Sequence, residues 1–169
     1  MFAGIAESVP ARLTLYTDAL EINGTIRTLH RRVTDILNQA DHPYLVLSEV
    51  VVRRLGGGAP IESEYAQVNL ASVLFAVADE PVDPRPELRT RKTPERALIS
   101  IPPFEISGTI HLPPTGDLRE SLQELSAGFI PVTHATCASE VLGMPERRVL
   151  LAAVNQRRAQ ILTSIRDGA

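Results

Sequence analysis

The chain has 169 residues, of which 44% are hydrophobic and 22% are charged, and its formal net charge at pH 7 is −3. This composition is typical of globular proteins and argues against disorder for most of the chain, while the net charge provides no general attraction to nucleic acid or anionic lipid. No apolar run approaches the ~20 residues of a membrane-spanning helix. The single cysteine, Cys137, excludes an intramolecular disulfide.

The first residues lack the features of a signal peptide. They read MFAGIAESVPARLTLYTD, with neither a basic n-region nor a continuous apolar core. We therefore expect a cytoplasmic protein.

Two strands are predicted near the start of the chain, at residues 13–16 and in LEINGTIR at residues 20–27. In the second, apolar residues and glycine alternate with polar ones, and a period of two is typical of a half-buried strand. Gly24 lies in its middle, where glycine indicates a bulge, a bend or a close approach of backbones.

A short helix, a long strand and a strand pair are predicted next. Val33, Ile36 and Leu37 have helical spacing. The long strand is YLVLSEVVVRRL at residues 44–55, three glycines at 56–58 predict a turn, and YAQVNLASVLFAV at 65–77 supplies two further strands.

The same order of elements is predicted a second time. Strands at 97–101 and 104–110 precede a helix that Asp117 and Glu120 begin with a capping-box pattern. Leu118, Leu122 and Leu125 follow at helical spacing. A long strand, FIPVTHATCASEVL at 129–142, precedes a final strand pair in RRVLLAAVNQRRAQILTSI at 147–165.

The two series share sequence as well as order. LEINGTIRTLH at residues 20–30 and FEISGTIHLPP at 104–114 both contain Glu-Ile, one polar residue and Gly-Thr-Ile, and the pair Val-Asn at 68–69 recurs at 154–155. We predict an internal duplication, with a first β-repeat at 11–79 and a second at 95–167. The Pro- and charge-rich segment at 80–94 is predicted to be an extended linker.

The predicted fold is mainly β. It consists of two tandem copies of a small, bent antiparallel sheet or barrel, each with about five strands and one short helix, packed as a pseudo-two-fold pair. A single fused α+β domain remains an alternative.

Four residues are candidates for a metal site: His111, His134, Cys137 and Glu140. His134 and Cys137 are three residues apart on a predicted strand and so face opposite sides. Structural zinc sites need a second close-spaced ligand pair, which the sequence lacks. It also lacks a G-x-S-x-G elbow and a phosphate loop. We therefore predict no catalytic residue, no metal and no cofactor.

The remaining candidates for contact with a ligand or nucleic acid are Arg147, Arg148, Asn155, Arg157 and Arg158. Arg157 and Arg158 follow Asn155 in a predicted tight turn, and loop residues carry function more often than core residues do. Neighbouring arginines on a strand face opposite sides, and an aromatic content of 4% leaves few platforms for stacking bases.

Most of the chain resembles an uncharacterised bacterial domain family. The matching motifs in the second series are Phe104–Ile110, Leu112–Pro114, Leu118–Leu125, Phe129–Thr133 and Val154–Ile161. The first series keeps the glycine of the strand and the Val-Asn pair. These motifs are structural, so the resemblance implies no activity.

The chain is also similar, more weakly, to Sm-like small barrels, which have five strands and a glycine-bent second strand. That resemblance implies a small β-barrel and RNA binding. Two features depart from it: the turn at 155–158 lacks the glycine of an Sm-like RNA pocket, and a helix separates the second and third strands. A shared fold does not imply a shared function.

We expect a non-catalytic binding or self-association module that has a protein partner or forms a homo-oligomer and does not enter a membrane. A nucleic-acid-binding, Sm-like protein is the alternative, and an enzyme is the reading least favoured by the sequence.

Overall fold

A computed structural model describes residues 7–29, 32–79, 92–114 and 117–166. In these residues the chain forms ten strands and two short α-helices, which confirms the mainly β class. The strands are β1 (Val9–Tyr16), β2 (Leu20–Thr28), β3 (Tyr44–Arg54), β4 (Ile61–Asn69), β5 (Phe75–Ala78), β6 (Thr93–Ile101), β7 (Phe104–Leu112), β8 (Phe129–Ser139), β9 (Met144–Asn155) and β10 (Ile161–Ser164). The helices are α1 (Val33–Asn38) and α2 (Leu118–Glu124), and 3-10 turns occupy Leu70–Ser72 and Gln156–Arg158.

All ten strands belong to one continuous antiparallel sheet, in the order β10-β6-β7-β8-β9-β5-β1-β2-β3-β4. We call β1–β5 the first series and β6–β10 the second series. The predicted pseudo-two-fold packing would place like strands side by side. The series instead meet through unlike strands, β5 of the first and β9 of the second. In the sheet that the described residues form, β4 and β10 are the two edge strands.

The mid-strand glycines Gly24 and Gly108 lie where neighbouring strands approach closely, as predicted. A Cβ on Gly24 would lie 2.9 Å from Leu47 Cβ. A Cβ on Gly108 would lie 2.7 Å from Val132 Cγ1 and 2.9 Å from the backbone oxygen of Thr133. Because any larger residue would collide with the next strand, glycine is required for this approach.

A β-bulge lies opposite each of these glycines. Pairing of β2 with β3 shifts between Asn23 and Thr25, and pairing of β7 with β8 shifts between Ser107 and Thr109. The extra residues, Glu49 in β3 and His134 in β8, have φ of 51° and 48°. Bulges bend a strand and increase its twist, so both long strands bend at the same point of their series.

The buried apolar side chains of the described residues form two clusters, and each contains residues of both series. The first core contains Leu13, Leu15, Ile22, Val33, Ile36, Leu37, Leu45, Leu47, Val50, Val68, Val73 and Ala76 of the first series together with Phe129 and Ala153 of the second. The second core contains Ala97, Ile99, Ile101, Phe104, Ile106, Ile110, Leu112, Ile130, Val132, Ala135, Cys137, Ala152 and Val154 together with Tyr16, Leu74, Phe75 and Val77 of the first series. The exchange ties the two series together.

The helices cover the sheet unequally. The residues predicted to form the apolar face of α1, Val33, Ile36 and Leu37, are buried. α2 begins as predicted, with Asp117 Oδ1 accepting from the N–H of Glu120 at 2.8 Å. Its leucines pack less completely, because Leu118 is 40% exposed and Leu125 lies beyond the last helical residue.

Most of the predicted linker, residues 80–91, lies outside the described residues. β6 begins at Thr93, so the last residues of the linker predicted at 80–94 belong to a strand. Neither described α-helix has the length or the apolar content needed to cross a bilayer.

Candidate functional site

The junction between β5 and β9 is held by backbone pairing. Phe75 pairs with Val154 and Ala76 with Ala153. Beyond these pairs, the N–H of Asn155 donates to the oxygen of Leu74 at 2.8 Å. Side chains of β5 alternate between the cores, with Phe75 facing the second core and Ala76 the first. Both faces of the junction strands are therefore covered.

Asn155 fixes one end of this junction. Its Nδ2 donates to the oxygen of Val73 at 2.9 Å, and its Oδ1 accepts from the N–H of Arg157 at 3.1 Å. The side chain is buried, and the second bond caps the 3-10 turn that precedes β10. The structure therefore places Asn155, a candidate contact residue in the sequence, at an internal joint.

Arg147, near the start of β9, makes a second side-chain contact between the two series. Its Nη1 donates to the Tyr16 hydroxyl at 2.5 Å. The Tyr16 ring stacks on Phe75 with centroids 4.4 Å apart and meets the edge of Phe104 at 5.8 Å. Tyr16 and Phe75 come from the first series and Arg147 and Phe104 from the second, so this cluster also bridges the two.

The Tyr16 hydroxyl and the thiol of Cys137, a buried residue of the same core, are both held in their neutral forms. Burial, assisted by the nearby Glu21 carboxylate, raises the pKa of Tyr16 to about 12, although the Arg147 guanidinium opposes the shift. Burial likewise raises the pKa of the Cys137 thiol to about 11. A reactive cysteine needs a lowered pKa and solvent access, so Cys137 has the properties of a packing residue.

The other three candidate arginines, Arg148, Arg157 and Arg158, are exposed. Arg148 is exposed on β9 opposite Thr136, while Arg157 and Arg158 are exposed in the 3-10 turn after β9. β9 begins at Met144, shortly before Arg147 and Arg148, and ends at Asn155, immediately before the turn that contains Arg157 and Arg158. The arginine pairs therefore lie near opposite ends of one strand.

The candidate metal ligands have different surroundings. Nε2 of His111 lies 3.0 Å from Thr133 Oγ1, His134 is exposed at its bulge, and Cys137 is buried in the second core. Within the ranges that the structure describes, no group of three or more His, Cys, Asp or Glu side chains is placed to hold a metal ion.

The two sheet edges carry exposed apolar side chains. Among the strands of the described residues, β4 pairs with β3 alone and β10 with β6 alone. Ile61 and Tyr65 on β4 are 46% and 63% exposed, and Ile161 on β10 is 56% exposed. The sequence predicted both strands but not their position at the edges of the sheet. A signal was available, because the junction strands contain uninterrupted apolar runs, LFAVA and VLLAAV, whereas about half of the residues of β4 and β10 are polar.

A scan against protein-family models matched no family, and searches of curated proteins and of solved structures found no similar protein.

Proposed function

We propose that this protein is a non-catalytic, cytoplasmic self-association module built from two tandem copies of one β unit, whose copies join through the edges of their sheets. The observation that carries the proposal is the junction of β5 with β9. If the two series are copies, β4 corresponds to β9 and β10 corresponds to β5. The junction strands β5 and β9 thus have β10 and β4 as their counterparts, and β10 and β4 are the edge strands of the described sheet.

Several local features support the duplication. Each series pairs its first strand with its second and its fifth, its second with its third, and its third with its fourth. Each has a glycine in the second strand opposite a bulge in the third, at Glu49 and His134. Each has an asparagine, Asn69 or Asn155, whose Oδ1 caps the 3-10 turn before the last strand.

Self-association follows from what an unpaired edge offers. An edge strand presents a row of backbone donors and acceptors that another strand can extend. Here the exposed apolar side chains of β4 and β10 add surface that pairing would remove from water. Gln67 of β4 stands where β9 has Ala153, so the contact between molecules is more polar than the internal junction. We therefore expect reversible, concentration-dependent association.

The test is the mass of the native particle as a function of concentration, by native mass spectrometry and light scattering. The wild-type protein should exceed the mass of one chain, and the double variant Tyr65→Lys/Ile161→Lys should be monomeric. Val141→Lys is the matched control, because Val141 is 85% exposed but lies in the turn between β8 and β9, outside both edge strands. A wild-type protein that stays monomeric at every concentration would overturn the proposal.

A further inference from the structure

We infer that β4 of one molecule pairs antiparallel with β10 of the next in the register of the internal β5–β9 junction, an inference that rests on the proposed self-association. The internal register places Ala76 opposite Ala153 and Phe75 opposite Val154. Transferred to the corresponding residues, it places Leu162 opposite Gln67 and Ile161 opposite Val68.

The transfer is anchored by the two 3-10 turns. Leu70–Ser72 has Asn69 as its N-cap and Val73 after its last residue, and Gln156–Arg158 has Asn155 and Ala159 at the same positions. The strands on either side of each turn are therefore aligned residue by residue. This alignment fixes which residue of β4 corresponds to Ala153 and which residue of β10 corresponds to Ala76.

The backbone N–H and C=O groups of Gln67 in β4 point in the direction that this pairing requires. Hydrogen-bonded pairs alternate along an antiparallel ladder. The N–H of Leu70 donates to Pro43 at 2.9 Å, so Val68 and Ala66 are the next residues that bond to β3. Tyr65, Gln67 and Asn69 therefore direct their backbone groups away from the sheet.

The backbone of β10 has the complementary phase. The N–H of Ile165 donates to Arg96 at 2.9 Å, so Thr163 and Ile161 are the residues that bond to β6. Leu162 and Ser164 therefore direct their backbone groups outward. The transferred register brings Leu162 to Gln67 and Ser164 to Tyr65, which matches outward groups with outward groups. A shift of one residue would break every one of these bonds.

The exposed side chains lie where the register needs them. Tyr65 corresponds to Leu151, which packs against the first core from the second series, and Ile161 corresponds to Phe75, which packs against the second core from the first series. Tyr65 and Ile161 are 63% and 56% exposed. Pairing would bury both against the neighbouring molecule.

The capping asparagine adds a side-chain bond. Asn155 Nδ2 donates to the oxygen of Val73 across the internal junction. Asn69 holds its Oδ1 in the same cap, 3.0 Å from the N–H of Ala71. In the transferred register its Nδ2 would donate to the oxygen of Ala159 in the next molecule.

The pairing joins unlike edges, so each molecule keeps one β4 and one β10 for its neighbours. Such head-to-tail contacts close into rings or continue as filaments, whereas pairing of like edges would stop at a two-fold dimer.

Disulfide trapping tests the register. Directly opposed residues in a hydrogen-bonded pair have Cα atoms ~5.5 Å apart, within the ~4.4–6.8 Å that a disulfide spans. The double variant Gln67→Cys/Leu162→Cys should give a ladder of covalent multimers under brief oxidation. Each single variant should give no more dimer than Gln123→Cys, an exposed control on α2. The wild-type protein should not cross-link, because Cys137 is buried.

The outcomes separate this inference from the proposed function. A monomeric wild-type protein in native mass spectrometry would overturn both. Two results would overturn the register alone. One is native oligomers that give no ladder of covalent multimers. The other is a Gln67→Cys single variant that cross-links as completely as the double variant. Should Leu162→Cys fail to fold, Tyr65→Cys/Ser164→Cys tests the next outward-facing pair and should give the same ladder.

Discussion

Asn38 at the end of α1 and Phe129 at the start of β8 are joined by two hydrogen bonds, although 91 residues separate them. Asn38 Nδ2 donates to the oxygen of Phe129 at 2.8 Å, and the N–H of Phe129 donates to Asn38 Oδ1 at 2.7 Å. The same Phe129 packs its ring into the first core. The side-chain amide of Asn38 thereby connects α1 of the first series to β8 of the second.

Replacing this amide should destabilise the fold. We expect Asn38→Ala to lower the free energy of unfolding by about 1–3 kcal/mol, since it leaves the backbone groups of Phe129 without their partner. Urea unfolding followed by circular dichroism measures the change. Gln39→Ala, at the exposed next position, is the control and should stay within about 0.5 kcal/mol of the wild type. Equal effects of the two variants would refute this role of Asn38.

The two mid-strand glycines should differ in their tolerance of a methyl group. Gly108→Ala meets the backbone oxygen of Thr133 as well as Val132, whereas Gly24→Ala meets side-chain atoms of Leu47 and Val50. Side chains adjust more easily than backbone, so we expect Gly108→Ala to cost about 2–3 kcal/mol and Gly24→Ala less. Thermal unfolding of both, with Gly56→Ala as the unhindered control, gives the comparison. The reverse order would contradict the close approach at Gly108.

The bulge residues Glu49 and His134 adopt a left-handed conformation that favours glycine. With φ of 51° and 48°, both should accept glycine without loss. A β-branched residue is strained there, so His134→Val should lose about 1–2 kcal/mol relative to His134→Gly. Chemical denaturation of the two variants, with Glu49→Val and Glu49→Gly as the parallel pair, tests this. Equal stability of valine and glycine would argue against the bulge geometry.

The buried phenol of Tyr16 predicts a loss of stability at high pH. Its pKa is about 12 in the folded protein against 10.0 for an ordinary tyrosine. The folded state therefore holds this proton more tightly. The resulting stabilisation is complete below pH 10 and is lost as the pH rises from 10 towards 12. At about 1.4 kcal/mol per pKa unit, its upper limit is about 3 kcal/mol.

Comparison with Tyr16→Phe isolates this effect. Urea unfolding below pH 10 and above it should show a steeper loss for the wild type than for the variant. The raised pKa of Cys137 lowers stability with rising pH in the same direction, but it is present in both proteins and cancels in the difference. Parallel pH dependences would show that Tyr16 does not titrate as described.

The arginines separate self-association from the nucleic-acid alternative. The two arginine pairs lie near opposite ends of β9, and Arg147 already donates to Tyr16, so we expect no mobility shift with single-stranded RNA at ~50 mM salt. A shift that weakens as salt rises and is lost in Arg157→Glu/Arg158→Glu, but not in the control Arg119→Glu, would instead support nucleic-acid binding.

Local sequence predicted most of the elements and some of their details. Alternation placed β2 and β7, and the position of Gly24 and Gly108 within them predicted a close approach of strands that the structure contains. The cap of α2 at Asp117 was predicted from two residues. These features depend on neighbours in the chain, so a short window of sequence contains their cause.

The candidate site depended on contacts that no local window contains. Asn155 and Arg147 were noted for their chemistry in a predicted turn and strand, yet their partners are Val73 and Tyr16 of the other series. From sequence alone, a polar side chain that binds a ligand cannot be distinguished from one that bonds to another part of the chain. Only the folded chain supplies that partner.

The sequence by itself determined that this is a mainly β protein with a repeated order of strands, because side-chain period and turn residues act locally. The tertiary structure decided that all ten strands form one sheet, that β5 pairs with β9, and that β4 and β10 remain at the edges. The physical reason is that any strand offers backbone donors and acceptors to any other, so the choice between partners depends on which apolar faces the two cores bury together.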